Sequence, residues 1–226
     1  MNENDERLEG IVREVAKGFG FEEVNARYQP FKTLKINWTR SYNWISMDVS
    51  DYLIPAPDSI QASVLETLFG KIRGSEISYT PEVARWLGSD EFLDANQPKY
   101  ISRCIGMSKS TKGDHRDLQD SFDRLMDMGL VDRMPRLVMG WGPKNHSRKI
   151  GTHSVLLKVV TLGAFLDDLK IPQEILDYGL YWNVSKVMLG FIPDHEERCR
   201  EYEEILGRFP GREKLEREIA LREYSL

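Results

Sequence analysis

At 226 residues the chain has room for one large domain or two small ones, and either can bury a core. Apolar residues make up 41% and charged residues 30%, the balance of a soluble globular protein, and no run of about 18 apolar residues offers a membrane-spanning helix. The net charge of -5 argues against a general binder of polyanions, although a local basic patch can hide within such a sum.

The chain opens MNENDERLEG, acidic and without the apolar stretch of a secretory signal. Cys104 and Cys199 stand far apart and outside any CxxC pattern, so reduced thiols in a cytoplasmic protein are expected. Between Asn4 and Phe19, apolar residues at Leu8, Ile11, Val12, Val15 and Phe19 predict a helix stopped by Gly18 and Gly20. From Phe31 the period changes to two. Leu34, Ile36 and Trp38 alternate with polar residues, and after TRSYN the run Trp44, Ile45, Met47, Val49 follows, which predicts two strands with Trp38 facing Trp44. That aromatic pair reads as packing or, more sharply, as a stacking surface for bases or sugars. Pro55, Ala56 and Pro57 lead into a helix at Asp58, with Ile60, Val64, Leu65, Leu68, Phe69 and Ile72 inward and Gly74 at its end. Thr80 caps a further helix with Pro81 at its first position, and Glu91 to Leu93 belong to another short one. Asp48, Asp51 and Asp58 are too dispersed for a metal site.

The stretch GMSKSTKG, from Gly106 to Gly113, is the most loop-like and marks the expected internal boundary. It lacks the GxxxxGK[ST] pattern and a leading strand, so it reads as a solvated linker rather than a phosphate loop. Asp114 then caps a helix with Leu118, Phe122, Leu125 and Met126 inward, which places His115 on the surface of the first turn. Leu137 to Trp141 and Ser154 to Thr161 read as buried strands, with the polar GPKNHSRKIGTH between them. Pro172 starts a helix that breaks at Gly190 and Pro193. Leu176, Leu180, Val184 and Val187 form its core stripe, and Ile175, Trp182, Asn183 and Lys186 gather on another face. Asp194 caps the next helix, which runs to Leu206, and a charged helix from Arg212 to Tyr224 closes the chain.

The order of these parts resembles the SprT-like group of small zincin metallopeptidases. There a helix of the form DLxxxFDxL, a strand hairpin, a helix bearing HExxH and a second helix ending in a Phe-Pro-Gly-like stop follow one another. DLQDSFDRL, LVMGWGPKNHSRKIGTHSVLLKVV, LDYGLYWNVSKVML and Phe209-Pro210-Gly211 take the corresponding places, so that the likeness runs from about Asp117 to Glu218. The HExxH slot, however, holds Trp182, Asn183, Val184, Ser185 and Lys186, with His195 at the place of a further downstream histidine. In the family motif two histidines reach zinc from one helix face and the glutamate polarises the zinc-bound water. An indole has no lone pair for a metal, a carboxamide is no general base, and an ammonium must first lose a proton. The resemblance therefore implies a zincin-like fold without the catalytic apparatus.

The expected fold is α+β, a small sheet flanked by helices. An N-terminal region over 1–113 and a zincin-like domain over 114–226 are expected to pack as one compact unit. The first functional expectation is a catalytically inactive relative with a binding or scaffold role for a peptide or protein partner, and no cofactor. Trp182 then either plugs the former cleft with packed carbon or anchors an open groove, bordered by Trp141, in which Lys186 or His195 meets an anionic group. The alternative is a metal-dependent hydrolase with a rebuilt zinc site from His146 and His153, which flank the hairpin turn, and His195, with an acid from Asp194 or Glu196. A nucleic-acid module stands third, prompted by DNA-linked relatives of the SprT-like group and the basic segment Lys144 to Lys149, with the acidic total against it.

Overall fold

In the computed structural model, which describes residues 2–75, 77–104, 106–144, 147–192 and 194–226, Asn2 caps the first helix by accepting from the Asp5 N–H at 2.9 Å. The fold is α+β, and the chain divides into two compact units, Met1–Tyr100 and Ile101–Leu226.

The first unit contains α1 (Glu3–Lys17), β1 (Glu23–Gln29), β2 (Ile36–Ser41), β3 (Trp44–Ser50), α2 (Asp58–Ile72), α3 (Pro81–Leu87) and most of α4 (Asp90–Arg103). Its sheet has the order β1-β3-β2, with β3 parallel to β1 and antiparallel to β2. Ile45, Met47 and Val49 alternate along β3 and are buried. The register corrects one expectation. Trp38 lies opposite Met47 and Trp44 opposite Ser41, so the two indoles project from opposite faces and form no pair. The short helix expected at Glu91 to Leu93 extends through Pro98 to Arg103, held by buried Phe92, Leu93 and Tyr100 and by the Asn96 side chain donating to the Tyr52 carbonyl at 3.0 Å.

The second unit contains α5 (Leu118–Asp127), β4 (Val138–Trp141), β5 (Gly151–Ser154), β6 (Val159–Leu162), α6 (Gln173–Leu189), α7 (His195–Leu206) and α8 (Arg212–Leu221). The sheet order is β4-β6-β5, with β6 parallel to β4 and antiparallel to β5, which leaves β5 at an edge. The expected hairpin is thus corrected: the strand at Leu137 to Trp141 runs parallel to β6 rather than turning back on it. The antiparallel hairpin is β5–β6, where the chain turns over at Val155–Lys158 with Lys158 at φ 49°, so that Ser154 to Thr161 is not one strand and His153 sits within β5. The α6 helix is the axis of this unit. Ile175, Leu176, Tyr178, Leu180, Tyr181 and Val184 are all fully buried, so the apolar stripe read from spacing widens to nearly the whole circumference. Gly179 permits this, since a Cβ there would lie 2.4 Å from Ile150 Cγ2.

Two further expectations are corrected here. The cap of α5 is Asp117, which accepts from the Gln119 N–H at 2.9 Å, while the backbone N–H groups of Asp114, His115 and Arg116 donate to the Asp167 carboxylate; exposed His115 therefore precedes the helix. The Gly106–Gly113 stretch belongs to the second unit and is no free linker. Ser108 N–H donates to the Trp141 carbonyl at 2.8 Å and the Thr111 carbonyl accepts from Leu118 N–H at 3.0 Å, because Gly140 has no side chain to hold the segment away.

Candidate functional site

Where α6 crosses β5, glycine again sets the distance. A Cβ on Gly151 would lie 2.6 Å from Asn183 Nδ2, so the bare backbone of β5 admits the Asn183 side chain, which is 2% exposed. Asn183 Nδ2 donates to the Gly179 carbonyl one turn back at 2.8 Å, and its Oδ1 lies 3.0 Å from His153 Nδ1. Because the carbonyl of Gly179 can only accept, the amide orientation is fixed, and His153 must carry its proton on Nδ1 and donate it to Asn183. Nε2 keeps the lone pair. Burial lowers the His153 pKa below its ordinary value; the Asn183 hydrogen bond works against that shift, and Lys186 and Lys149 add to it.

Lys186 lies one turn beyond Trp182 on α6. Its ammonium stands over the Trp182 ring, 4.4 Å from the centroid, and 5.5 Å from the centroid of Tyr202 on α7. Trp182 is half-buried, with Tyr178 edge-on at 6.3 Å. Burial depresses the Lys186 pKa and Lys149 depresses it further, and no carboxylate pairs with Lys186 among the described residues. The site is thus a half-buried ammonium between two aromatic rings, next to a buried carboxamide that holds one histidine tautomer.

The other expected residues stand elsewhere. Trp141 is 4% exposed, its indole N–H donates to the Thr111 carbonyl at 2.8 Å, and the cavity it lines is shared with Ser108, Lys112 and Asp167 rather than with Trp182 or Lys186. His195 is exposed at the first position of α7, beside Cys199 at 3.9 Å. Asp194 is engaged as the α7 cap, accepting from Glu197 N–H at 2.7 Å, and Glu196 is exposed. His146 lies outside the described residues, as does Pro193. His153 and His195 belong to no group of three metal-ligating side chains among the described residues. In the basic segment Lys144 pairs with Asp114 and Arg148 with Glu223, which leaves Lys149 as its described cation without a carboxylate. Cys104 and Cys199 are free thiols. Among the described residues no helix is long and apolar enough to cross a membrane.

Lys149 and Tyr202 were not singled out by the sequence reading. Lys149 was one of several basic residues in a polar connection, and Tyr202 one aromatic in a charged helix, so neither carried a spacing signal. The zinc of the resembled family does not fit this face. Asn183 uses both ends of its amide within the protein, Lys186 presents an ammonium, and the ring of Trp182 has no donor atom. No family model, curated protein or solved structure matches the chain.

Proposed function

We propose that the second unit is a zincin-like relative of the SprT-like metallopeptidases that has lost the zinc apparatus and serves as a binding module for an extended peptide or protein segment. The observation that carries this reading is the meeting of Lys186 and Trp182 on one face of α6 at 4.4 Å. Two side chains four residues apart converge there as the two histidines of HExxH would, and Asn183, in the glutamate's place, points at the sheet. The element order α5, strands, α6, α7 and the Phe209-Pro210-Gly211 turn supports the same reading. So does the position of β5. It is an edge strand whose outer side is met, among the described residues, only by the isolated bridge from Lys149 to Ser225, and a peptide can add to such an edge without any metal.

The test is elemental analysis of protein purified without a metal-affinity tag, beside the variant Trp182→His/Asn183→Glu/Lys186→His. Less than about a tenth of an equivalent of zinc in the parent and close to one equivalent in the variant is the expected result. One tightly held equivalent in the parent would point instead to a metal-dependent hydrolase. A folded variant that takes up no zinc would remove the zincin geometry from the reading.

A further inference from the structure

Two lysines and a neutral histidine stand around the crossing of α6 and β5, and none of them meets a carboxylate among the described residues. Lys186 comes from α6, His153 from β5 itself, and Lys149 from the residues leading into β5. Asn183 ties them together: its Oδ1 lies 3.0 Å from His153 Nδ1, Lys186 follows it by one turn of α6, and Lys149 stands two residues before Gly151, whose backbone meets the Asn183 amide; each lysine also opposes protonation of His153. Among the described residues none of the three takes part in an ion pair, although arginines of the same chain are paired widely, as in Arg124–Asp177, Arg212–Glu216 and Arg222–Glu218. Like charges left facing one another weaken the fold, and Lys186 is in addition half-buried.

Building on the reading of this face as a peptide-binding edge, we infer that Lys149 and Lys186, beside His153, receive a carboxylate side chain of an acidic peptide lying along β5. The chemistry favours carboxylate over phosphate on two counts. Lys186 stands in the last turn of α6, where the partial negative charge of the helix end resists a doubly charged ligand more than a singly charged one. The cluster holds two ammonium groups and an imidazole but no guanidinium, the group whose fork matches phosphate in two-point contact. The Trp182 and Tyr202 rings flank the ammonium and give the stem of a glutamate side chain an apolar wall. The edge of β5 supplies backbone groups for the peptide main chain, and the acidic net charge of -5 leaves this cluster as a local exception rather than part of a polyanion surface.

The experiment is an amide-resolved NMR titration of the full chain at pH 7 with acetyl-hexaglutamate amide, with acetyl-hexaglutamine amide and with inorganic phosphate. The acidic peptide is expected to move the β5 amides, the Trp182 indole N–H and the Asn183 side-chain amide saturably. Its affinity is expected to fall about tenfold or more in Lys186→Gln and in Lys149→Gln. Lys149 is exposed, so its variant keeps the fold and the test stands even if Lys186→Gln is damaged. Equal binding of the two peptides would overturn the acidic preference and leave the groove in place, whereas no movement in β5 or α6 with either peptide would overturn both. Phosphate moving the same signals with the same lysine dependence, or lysine variants that bind the acidic peptide as the parent does, would also overturn it.

Discussion

Asn183 on α6 accepts a hydrogen bond from His153 Nδ1 on β5 at 3.0 Å, and the Gly179 carbonyl dictates its direction by occupying the amide's other end at 2.8 Å. That link makes the site sensitive to acid. Burial depresses the His153 pKa below 6.5, so the unfolded chain takes up this proton more readily than the folded one. The stability contributed by neutral His153 is fully present above about pH 6.5 and is lost as pH falls through the depressed folded value. His153→Gln, which can still donate to Asn183, is expected to lose less stability than the parent between pH 7.5 and 5. The difference should be below about 1 kcal/mol because the ring is part exposed. Urea unfolding at both pH values measures it, and parallel losses in the two proteins would remove His153 as the cause.

Lys186 poses the opposite question, whether its charge serves the fold at all. Its pKa is depressed from 10.5, first by burial and then by Lys149, so the associated stability is present only above about 10.5 and is already lost at neutral pH. Lys186→Met keeps the stem against Trp182 and Tyr202 and removes the charge. It forfeits about 0.5 to 1 kcal/mol of cation–π attraction and relieves the burial of a charge and its repulsion by Lys149. The variant is therefore expected to be at least as stable as the parent in urea at pH 7. A loss well above 1 kcal/mol would make the ammonium a structural group and weaken the case that it awaits a ligand.

The elements that read correctly from sequence are those with a local code. Thr80 with Pro81, Asp194 before Glu196 and Glu197, and Pro172 before the apolar run of α6 each announce a helix start through their own chemistry. The misreadings arose where a distant residue supplies the partner. Asp114 has the look of a helix cap, but its N–H is taken by Asp167, more than fifty positions away, and the cap passes to Asp117. β1 was missed although Val24, Ala26 and Tyr28 alternate with polar residues in EVNARYQ; that short run buries only Ala26, and its pairing with β3 is what makes it a strand. On the candidate site the spacing brought Trp182 and Lys186 together correctly, since four residues on a helix is a local relation. The placing of His153 and Tyr202 beside them depends on how β5 and α7 pack against α6, which no spacing encodes.

Asp167 offers a test of that long-range partnership. Its carboxylate, 7% exposed, accepts from the backbone N–H groups of Asp114 at 2.6 Å, His115 at 3.1 Å and Arg116 at 2.8 Å. Gly113 is required beside it, because a Cβ there would lie 2.4 Å from Asp167 Oδ1. Asp167→Asn replaces an acceptor-only group with an amide that turns donors toward donors, and a loss of about 2 to 3 kcal/mol is expected in urea unfolding at pH 7. A loss below about 0.5 kcal/mol would show that these N–H groups are satisfied without the carboxylate.

Gly140 tests whether the Gly106–Gly113 stretch is seated against β4 or free of it. A Cβ on Gly140 would come within 2.0 Å of the Ser108 carbonyl oxygen and 2.9 Å of Met107 Cε. The methionine can swing aside, but the Ser108 oxygen belongs to backbone anchored by its own N–H on the Trp141 carbonyl at 2.8 Å. Gly140→Ala must therefore push the segment off the strand, breaking that bond and straining the Trp141 indole bond to Thr111 at 2.8 Å. A destabilisation of about 2 to 3 kcal/mol is expected, from overpacking together with lost hydrogen bonds. Amide hydrogen exchange localises the damage, with the Ser108 N–H losing its protection while the amides of α6 keep theirs. Parent-like stability and exchange would mean that the segment does not lie against β4 and that the linker reading from sequence was the better one.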